Sequence, residues 1–400
     1  VRVMLLTHSY APEHSPPQRR WTQLIRSFRS EGWDVDVVTP VAHAPDGRRT
    51  LPRKQAGRPF RVDRGDFGES VRRVPYLWHR TTRGGRLINH LFSAGMSIPA
   101  AALGPRPDVV IVTVPSLPIL GAGWVVARMF RRPFVVDMRD AWPDIARDAR
   151  LIKGSAKGIV ERVIIAIQDR ADLVVTVTYG FARTLRERGL KNVATVTNGV
   201  DVNQLASLEP VTLEKDRLDV LYLGNHGESQ QLDVPIRAAA LVGDKMRLTM
   251  VGHGVRRKEL IALASSLKAP VDFNAPAYGQ QVMDYYRNAD SCIVALRDDW
   301  KSFDTTIPSK TYEVLSIGRH ITGMVRGEAR QILEDAEAGH IVPADPQALA
   351  DLWTLLAHER ARLQVNGNGR LWVERNADVT ALGQLYIDLL LELCRGTTRP

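Results

Sequence analysis

Thr305, Thr306, Pro308, Ser309 and Lys310 bring hydroxyls, a lysine and the start of a short helix into one stretch, and Glu313 follows within the next turn. Pro308 suits a first helical position, where its missing N–H is no loss, and Gly318 suits the left-handed exit. Lysine, hydroxyls and helix-start amides converging on one point favour an anion there. A carboxylate beside an anion site serves hydroxyl groups, because two anions repel, so Glu313 points to a sugar or ribose. The plainer alternative is a capped surface helix with a solvated glutamate.

Two further stretches carry chemistry. Gly224-Asn225-His226-Gly227, with Gln230 after it, is a glycine-bearing turn between a strand and a helix, where backbone amides can approach a diphosphate without side-chain obstruction. It is neither a Walker loop nor a dinucleotide fingerprint, and a tight turn is the competing reading. Gly252 and Gly254, either side of His253, end the next strand, where a base or ribose fits against backbone. Asp137 to Asp144 packs three carboxylates, Arg139 and Trp142 into a strand end. Such charges are costly there unless solvated or paired. In the functional reading Arg139 presents N–H groups to a phosphate, Asp140 accepts from sugar hydroxyls and Trp142 forms an apolar wall. In the structural one they form an Arg–Asp latch. No Ser–His–Asp order, metal-ligand helix or paired-cysteine site is present, so neither a metal nor a cofactor is expected; Cys292 and Cys394 read as core or near-core thiols.

The elements that must position these residues alternate. Apolar strands at 2–8, 34–39, 71–76, 108–114, 134–138, 173–178 and 193–197 are interleaved with helical spacings such as Trp21, Leu24, Ile25 and Phe28. The series restarts at Asp219–Gly224 and continues through 248–251, 271–273, 292–296, 321–325 and 340–342. This is an α/β chain of two doubly wound, Rossmann-like domains with parallel sheets. Four hundred residues also exceed what one core serves. We expect a first domain over 1–198 with a basic insertion at 41–105, a linker at 199–217, a second domain at 218–377, and a C-terminal helix within 378–400 that packs back on the first domain. The loaded segments fall at strand carboxyl ends, where ligands of such sheets bind.

Charge is uneven. Residues 1–198 hold 32 Lys and Arg against 17 Asp and Glu, while the remainder holds 22 against 27, giving the net +10. Twelve of those cations lie between Arg48 and Arg86, among Phe60, Phe67, Tyr76 and Trp78, ahead of an apolar segment. That pattern predicts a face for anionic lipid headgroups. The alternative is a solvated arginine-rich loop. No nucleic-acid motif accompanies the charge, so nucleic acid is not an expected partner. No run is long and apolar enough to span a membrane, and the first residues read as a strand rather than a signal peptide, so the expected location is cytoplasmic, peripheral on the inner face of the plasma membrane.

These residues resemble the retaining glycosyltransferases of family 4, which have the GT-B fold of two Rossmann-like domains facing across a cleft. The resemblance runs through Tyr10-Ala11-Pro12-Glu13, Gly32-Trp33-Asp34-Val35, Asn198-Gly199-Val200-Asp201 and Ala289-Asp290. Gly224-Asn225-His226-Gly227 with Gln230, Arg139-Asp140-Ala141-Trp142-Pro143, and Pro308-Ser309-Lys310 leading to Glu313 look like the subgroup containing O-antigen fucosaminyl transferases. The resemblance implies metal-independent transfer of a hexosyl or N-acetylhexosaminyl group from a nucleotide-sugar, usually a UDP-sugar, to a lipid-linked or small-molecule acceptor in surface polysaccharide synthesis. By position, Arg139, Asp140, Lys310 and Glu313 are the expected catalytic residues. Glu313 would hold the ribose, and Lys310 with amides around Thr306 and Gly224–Gly227 the diphosphate. Asn198 and Gly199 would line the cleft, and Pro276 to Tyr278 would edge the base. Asn225, Gln230, Gly252, Thr305, Pro308 and Ser309 complete the expected donor side, and Glu13, Ser15, Arg19, Ser116 and Trp142 the acceptor side. The family's glutamate pair would place a glutamate at 305, where this chain has Thr305, so the donor sugar is left unnamed. The other readings are a GT-B sugar-nucleotide epimerase and a non-catalytic nucleotide-sugar-binding subunit.

Overall fold

A computed structural model describes residues 1–13, 15–43, 47–49, 51–79, 82–114, 116–139 and 156–396, with side chains at all of these except 16, 53, 54, 83 and 156–160. The chain divides into two compact units, Val1–Thr197 with Val379–Pro400, and Asn198–Asp378.

In the first unit the strands are β1 (Arg2–Leu6), β2 (Asp34–Pro40), β3 (Val62–Arg64), β4 (Ser70–Val74), β5 (Val109–Thr113), β6 (Phe134–Met138), β7 (Leu173–Thr176) and β8 (Val193–Thr195). They form one sheet in the order β3-β4-β2-β1-β5-β6-β7-β8. Every pairing is parallel except β3 with β4. Leu5 pairs with Val37 on one side and Ile111 on the other. Runs such as Val-Val-Ile-Val-Thr in β5 are buried throughout and almost wholly apolar because helices cover both faces of the sheet.

The helix Pro16–Ser30 begins at Ser15, whose hydroxyl accepts from the Gln18 amide, and continues through two prolines that lack the amides a first turn leaves unpaired. Its buried face is Trp21, Leu24, Ile25 and Phe28, each contributing roughly 2 kcal/mol by leaving water. Part of that face meets the C-terminal helix Val379–Gly396, where the Tyr386 ring lies 6.0 Å from Trp21 and 5.8 Å from Phe28. Gly383 permits the approach, since a Cβ there would come within 2.2 Å of Ser27 Oγ. The segment read as a basic insertion is less of an excursion than its composition implies. It contributes β3, β4 and the twenty-residue helix Arg83–Ala102 to the unit, whose inner face includes Ala94 and Ala100.

The second unit contains β9 (Leu218–Leu223), β10 (Met246–Val251), β11 (Val271–Asn274), β12 (Ser291–Ala295), β13 (His320–Met324) and β14 (Gly339–Ile341), all parallel, in the order β11-β10-β9-β12-β13-β14. One face is covered by helices including Asp233–Val242 and Pro346–His358, the latter burying Trp353. The other carries Lys310–Ile317 and Gly327–Asp335, burying Tyr312 and Leu315. Both units are therefore Rossmann-like, with strand carboxyl ends along one edge of each sheet.

Candidate functional site

At the carboxyl end of β9 the chain enters Gly224, whose φ of +154° favours glycine and whose amide donates to the Val251 carbonyl at 2.9 Å. The Tyr222 hydroxyl donates to the Asn225 carbonyl at 2.7 Å, and the His226 amide to the His253 carbonyl at 2.7 Å. The turns after β9 and β10 are thus tied together. Their fit is tight: a Cβ on Gly252, where φ is +143°, would lie 1.9 Å from the Gly224 carbonyl oxygen. A short 3-10 turn, Glu228–Gln230, then separates this loop from the helix Asp233–Val242. The expectation that the turn's amides are collectively open to a diphosphate needs correction. Those of Gly224 and His226 are committed to carbonyls, which leaves Asn225 and Gly227 as the donors of that turn.

Lys310 opens the helix Lys310–Ile317. Pro308 stands before the helix cap at Ser309 rather than at the first helical position, and Gly318 closes the helix in the left-handed conformation expected of it. The lysine stem is partly exposed, yet its Nζ is shut off from solvent and has no hydrogen-bond partner among the described residues. Nζ sits 3.8 Å from the centroid of the Tyr222 ring and close to the position a Gly224 Cβ would take. Burial pushes the ammonium down to about 8, against the opposing pull of Glu313 and Cys292. An unpaired buried cation is costly until an anion meets it. The Glu313 carboxylate, one turn further, accepts from the Tyr286 hydroxyl at 3.2 Å.

Thr305 and Thr306 differ from their expected role. Both hydroxyls donate to the Ser302 carbonyl, at 3.3 and 3.0 Å, and the Thr306 amide donates to Phe303. Lys310 and the amides of Ser309 and Lys310 therefore carry the anion-attracting character of this point. Pro276 and Tyr278 lie exposed on the loop after β11, and Asn198 and Gly199 are half-buried at the start of the unit. Sequence reasoning missed two supports, Tyr222 beneath the ammonium and Arg257, which donates to the Gly252 and Asn274 carbonyls, and it read His226, which is buried, only as a member of the turn. Burial lowers His226 to about 4, with Arg257, Lys310 and His253 adding to the effect. Alternation along β9 turns Tyr222 inward, which is the signal that would have found it.

In the first unit the buried Glu13 carboxylate accepts from Ser9 Oγ at 2.7 Å and from the His43 amide at 2.6 Å, tying the loop after β1 to the loop after β2. His43 Nδ1 faces the Val41 carbonyl at 2.8 Å, so it carries the proton, and Nε2 accepts from Asn89 at 2.7 Å. Glu13 and Ser15 thus serve the architecture of the loop, Ser15 as a helix cap. Arg19 is exposed, and Ser116 Oγ is buried without a hydrogen-bond partner among the described residues. Arg139 follows β6 and is half-buried, while Asp140 and Trp142 lie outside the described residues. Asp137 resolves as a latch: its carboxylate is fully buried, 3.0 Å from Arg20 Nη2 and 3.4 Å from the Tyr386 hydroxyl. Arg20 also donates to the Val196 and Thr197 carbonyls, so the pair joins β6, the first helix and the C-terminal helix. Among the described residues no group of three or more His, Cys, Asp or Glu is placed to hold a metal ion.

Two family models match the chain: a glycosyl transferase 4-like domain over residues 17–199 and a glycosyl transferases group 1 domain over residues 217–359. No curated protein matches it. Among solved structures, sucrose-phosphate synthase from Thermosynechococcus elongatus has a TM-score of 0.77 at 17% identity, covering 99% of this chain and 100% of that one. Anabaena HepE in complex with UDP-glucose has a TM-score of 0.70 at 16% identity, covering 98% of this chain and 99% of that one. WaaG, a glycosyltransferase involved in lipopolysaccharide biosynthesis, has a TM-score of 0.67 at 16% identity, covering 96% and 99%. With these domains and this fold, the chain is a glycosyltransferase of the GT-B class.

Proposed function

We propose that this glycosyltransferase takes a UDP-sugar as donor and transfers a hexosyl or N-acetylhexosaminyl group, with retention and without a metal, to a lipid-linked glycan. The observation that carries the donor assignment is the Lys310 ammonium, buried against the Tyr222 ring beside the Gly224 turn and without a hydrogen-bond partner among the described residues. A diphosphate supplies the missing counter-charge, and its leaving oxygens are stabilised by Lys310 and the Asn225, Gly227, Ser309 and Lys310 amides. Glu313 takes the ribose hydroxyls, with Tyr286 holding its carboxylate in place. HepE, similar in fold, was solved with UDP and with UDP-glucose, which supports uracil as the base. In this reading residues 218–377 form the donor domain and residues 1–198 the acceptor domain, and the subgroup is that of the fucosaminyl transferases.

The acceptor assignment rests on the helix Arg83–Ala102. Leu87, Ile88 and Leu91 are each more than half exposed on it, and Trp78 just before it is 65% exposed. Arg86 adds charge to that end of the helix, a combination that suits an anionic lipid surface. No described helix is long and apolar enough to cross a membrane. Attachment is then peripheral, on the cytoplasmic leaflet where such donors are held.

The test is a panel of UDP-, GDP- and dTDP-sugars, following nucleotide release and thermal shift together in the presence and absence of EDTA. Stabilisation by the UDP series with EDTA-insensitive release supports the assignment. Stabilisation by another series, or release that needs a divalent ion, rejects the corresponding part. Glu313→Gln should weaken UDP binding about tenfold or more by removing a charge-assisted contact to the ribose.

A further inference from the structure

The first unit has a second concave feature at the amino ends of β6 and β7, the end of the strands opposite the loops after β1, β2 and β5. It is a half-open hollow of about 650 Å³, lined by Trp124, Arg128, Arg131, Arg132, Arg170 and Asp172, together with Ala127, Pro133 and Phe134. The helices Pro118–Phe130 and Ala156–Gln168 both end beside it. Four guanidiniums face one carboxylate. That carboxylate is already engaged, since Asp172 Oδ2 accepts from the Phe134 amide at 2.8 Å.

Helix C-termini attract cations, and two such ends supply about half a negative charge each. They offset about one positive charge, and Asp108, 3.9 Å from Arg132, offsets part of another, so that with Asp172 counted roughly one to two positive charges stay uncompensated. The hydrogen bonds agree with that balance. Arg170 Nη1 donates to the Ala166 carbonyl at 2.6 Å, so one of its N–H groups caps a helix while the rest of the fork makes no hydrogen bond among the described residues. Arg132 reaches Asp108 only at 3.9 Å, and its Nε has no hydrogen-bond partner among the described residues. Among the described residues no carboxylate lies within 4.0 Å of Arg128, Arg131 or Arg170. Arginine forks match phosphate oxygens in pairs, and the volume is that of a small-ligand site.

We propose that this hollow is a second, non-catalytic phosphate-binding site, taking a diphosphate or phosphodiester group in the arginine ring with Trp124 as its apolar wall. The phosphate belongs either to a free molecule or to a lipid headgroup, and the two sources are separable.

The experiment titrates inorganic pyrophosphate into the full-length chain by calorimetry with the donor site saturated with UDP, and repeats it on the R128Q/R170Q double variant. UDP binding is measured on both proteins first, so failure of the donor assignment registers on its own. The proposal expects a saturable pyrophosphate event beyond the one donor-site equivalent that UDP fills, loosened at least about tenfold in the double variant while the donor-site affinity for UDP is unchanged. No such event, or one equally strong in the variant, overturns it. Circular dichroism and melting confirm the fold of the variant, and R131Q, at an exposed position, provides an independent weakening. Flotation with phosphatidylglycerol vesicles assigns the source: loss in the double variant identifies a headgroup, and unchanged flotation with lost pyrophosphate binding identifies a free phosphate. Vesicles of phosphatidylcholine alone serve as the control.

Discussion

Replacing Lys310 with methionine separates the two energies that meet at its ammonium. Burial takes the amine from its ordinary 10.5 to about 8, and at 1.36 kcal/mol per pKa step the empty protein spends roughly 3 kcal/mol holding the charge at neutral pH. Methionine keeps most of the stem's volume and sheds that cost, but loses the contact with the Tyr222 ring 3.8 Å away, which is valued at about 1–2 kcal/mol. Discounting further for the partly exposed stem, the ligand-free variant should gain about 1 kcal/mol, or about 2–4 °C in the melting of its domain. Its affinity for UDP should fall about 10- to 100-fold, because a buried charge-assisted bond to the diphosphate is gone. The sign also fixes the pH dependence. The folded amine binds fewer protons than the unfolded one between pH 8 and 10.5, so this residue's contribution makes the wild-type protein more stable as pH rises through that window. UDP affinity should fall over the same rise, since the deprotonated amine cannot neutralise a diphosphate. Calorimetric scanning and UDP titration at several pH values read both quantities. A ligand-free variant that melts lower than wild type with UDP affinity intact would refute the reasoning.

Further outcomes follow from the same physics. Gly252→Ala drives a Cβ against the Gly224 carbonyl in a glycine-favouring conformation, so the second unit should lose about 2–4 kcal/mol in denaturant titration. Acid should destabilise the protein early. Burial lowers His320 to about 3, where it bridges Ser291 and His340, and lowers His90 and His226 to about 4. The unfolded chain takes up protons that these neutral rings refuse, so stability held above pH 6.5 is lost as pH falls toward 4. A melting series should show that slope, reduced in His320→Gln after allowance for its lower starting stability. Trp78→Ala combined with Leu91→Ser should weaken flotation with anionic vesicles several-fold without altering UDP affinity; equal flotation would remove that face from the membrane.

The doubled α/β architecture is legible because parallel strands buried on both faces leave largely apolar runs such as Val109–Thr113, and because Gly318 marks a helix end by residue type alone, whereas Ser15, expected on the acceptor side, is a helix cap. The short edge strand β3 was not foreseen: Val62–Arg64 has one apolar residue in three and gains its place only by pairing with β4. Lys310 and Glu313 were found through their helix-start setting, but the commitment of the Gly224, His226 and Thr306 amides depends on carbonyls from other segments, which composition does not reveal. Asp137 is the instructive case. Its carboxylate density reads as chemistry from sequence, while Arg20 and Tyr386, distant along the chain, turn it into a structural latch. The Asn89–His43–Glu13 tether likewise joins segments that no local pattern connects.

The central claim, that the loops after β9 and β12 form a UDP-sugar site around Lys310, is tested most directly by hydrogen–deuterium exchange with and without saturating UDP. The account predicts slowed exchange at 224–232 and 305–317, reduced in Lys310→Met. Protection confined to the first unit, or no protection in these two segments despite measurable UDP binding, would contradict it.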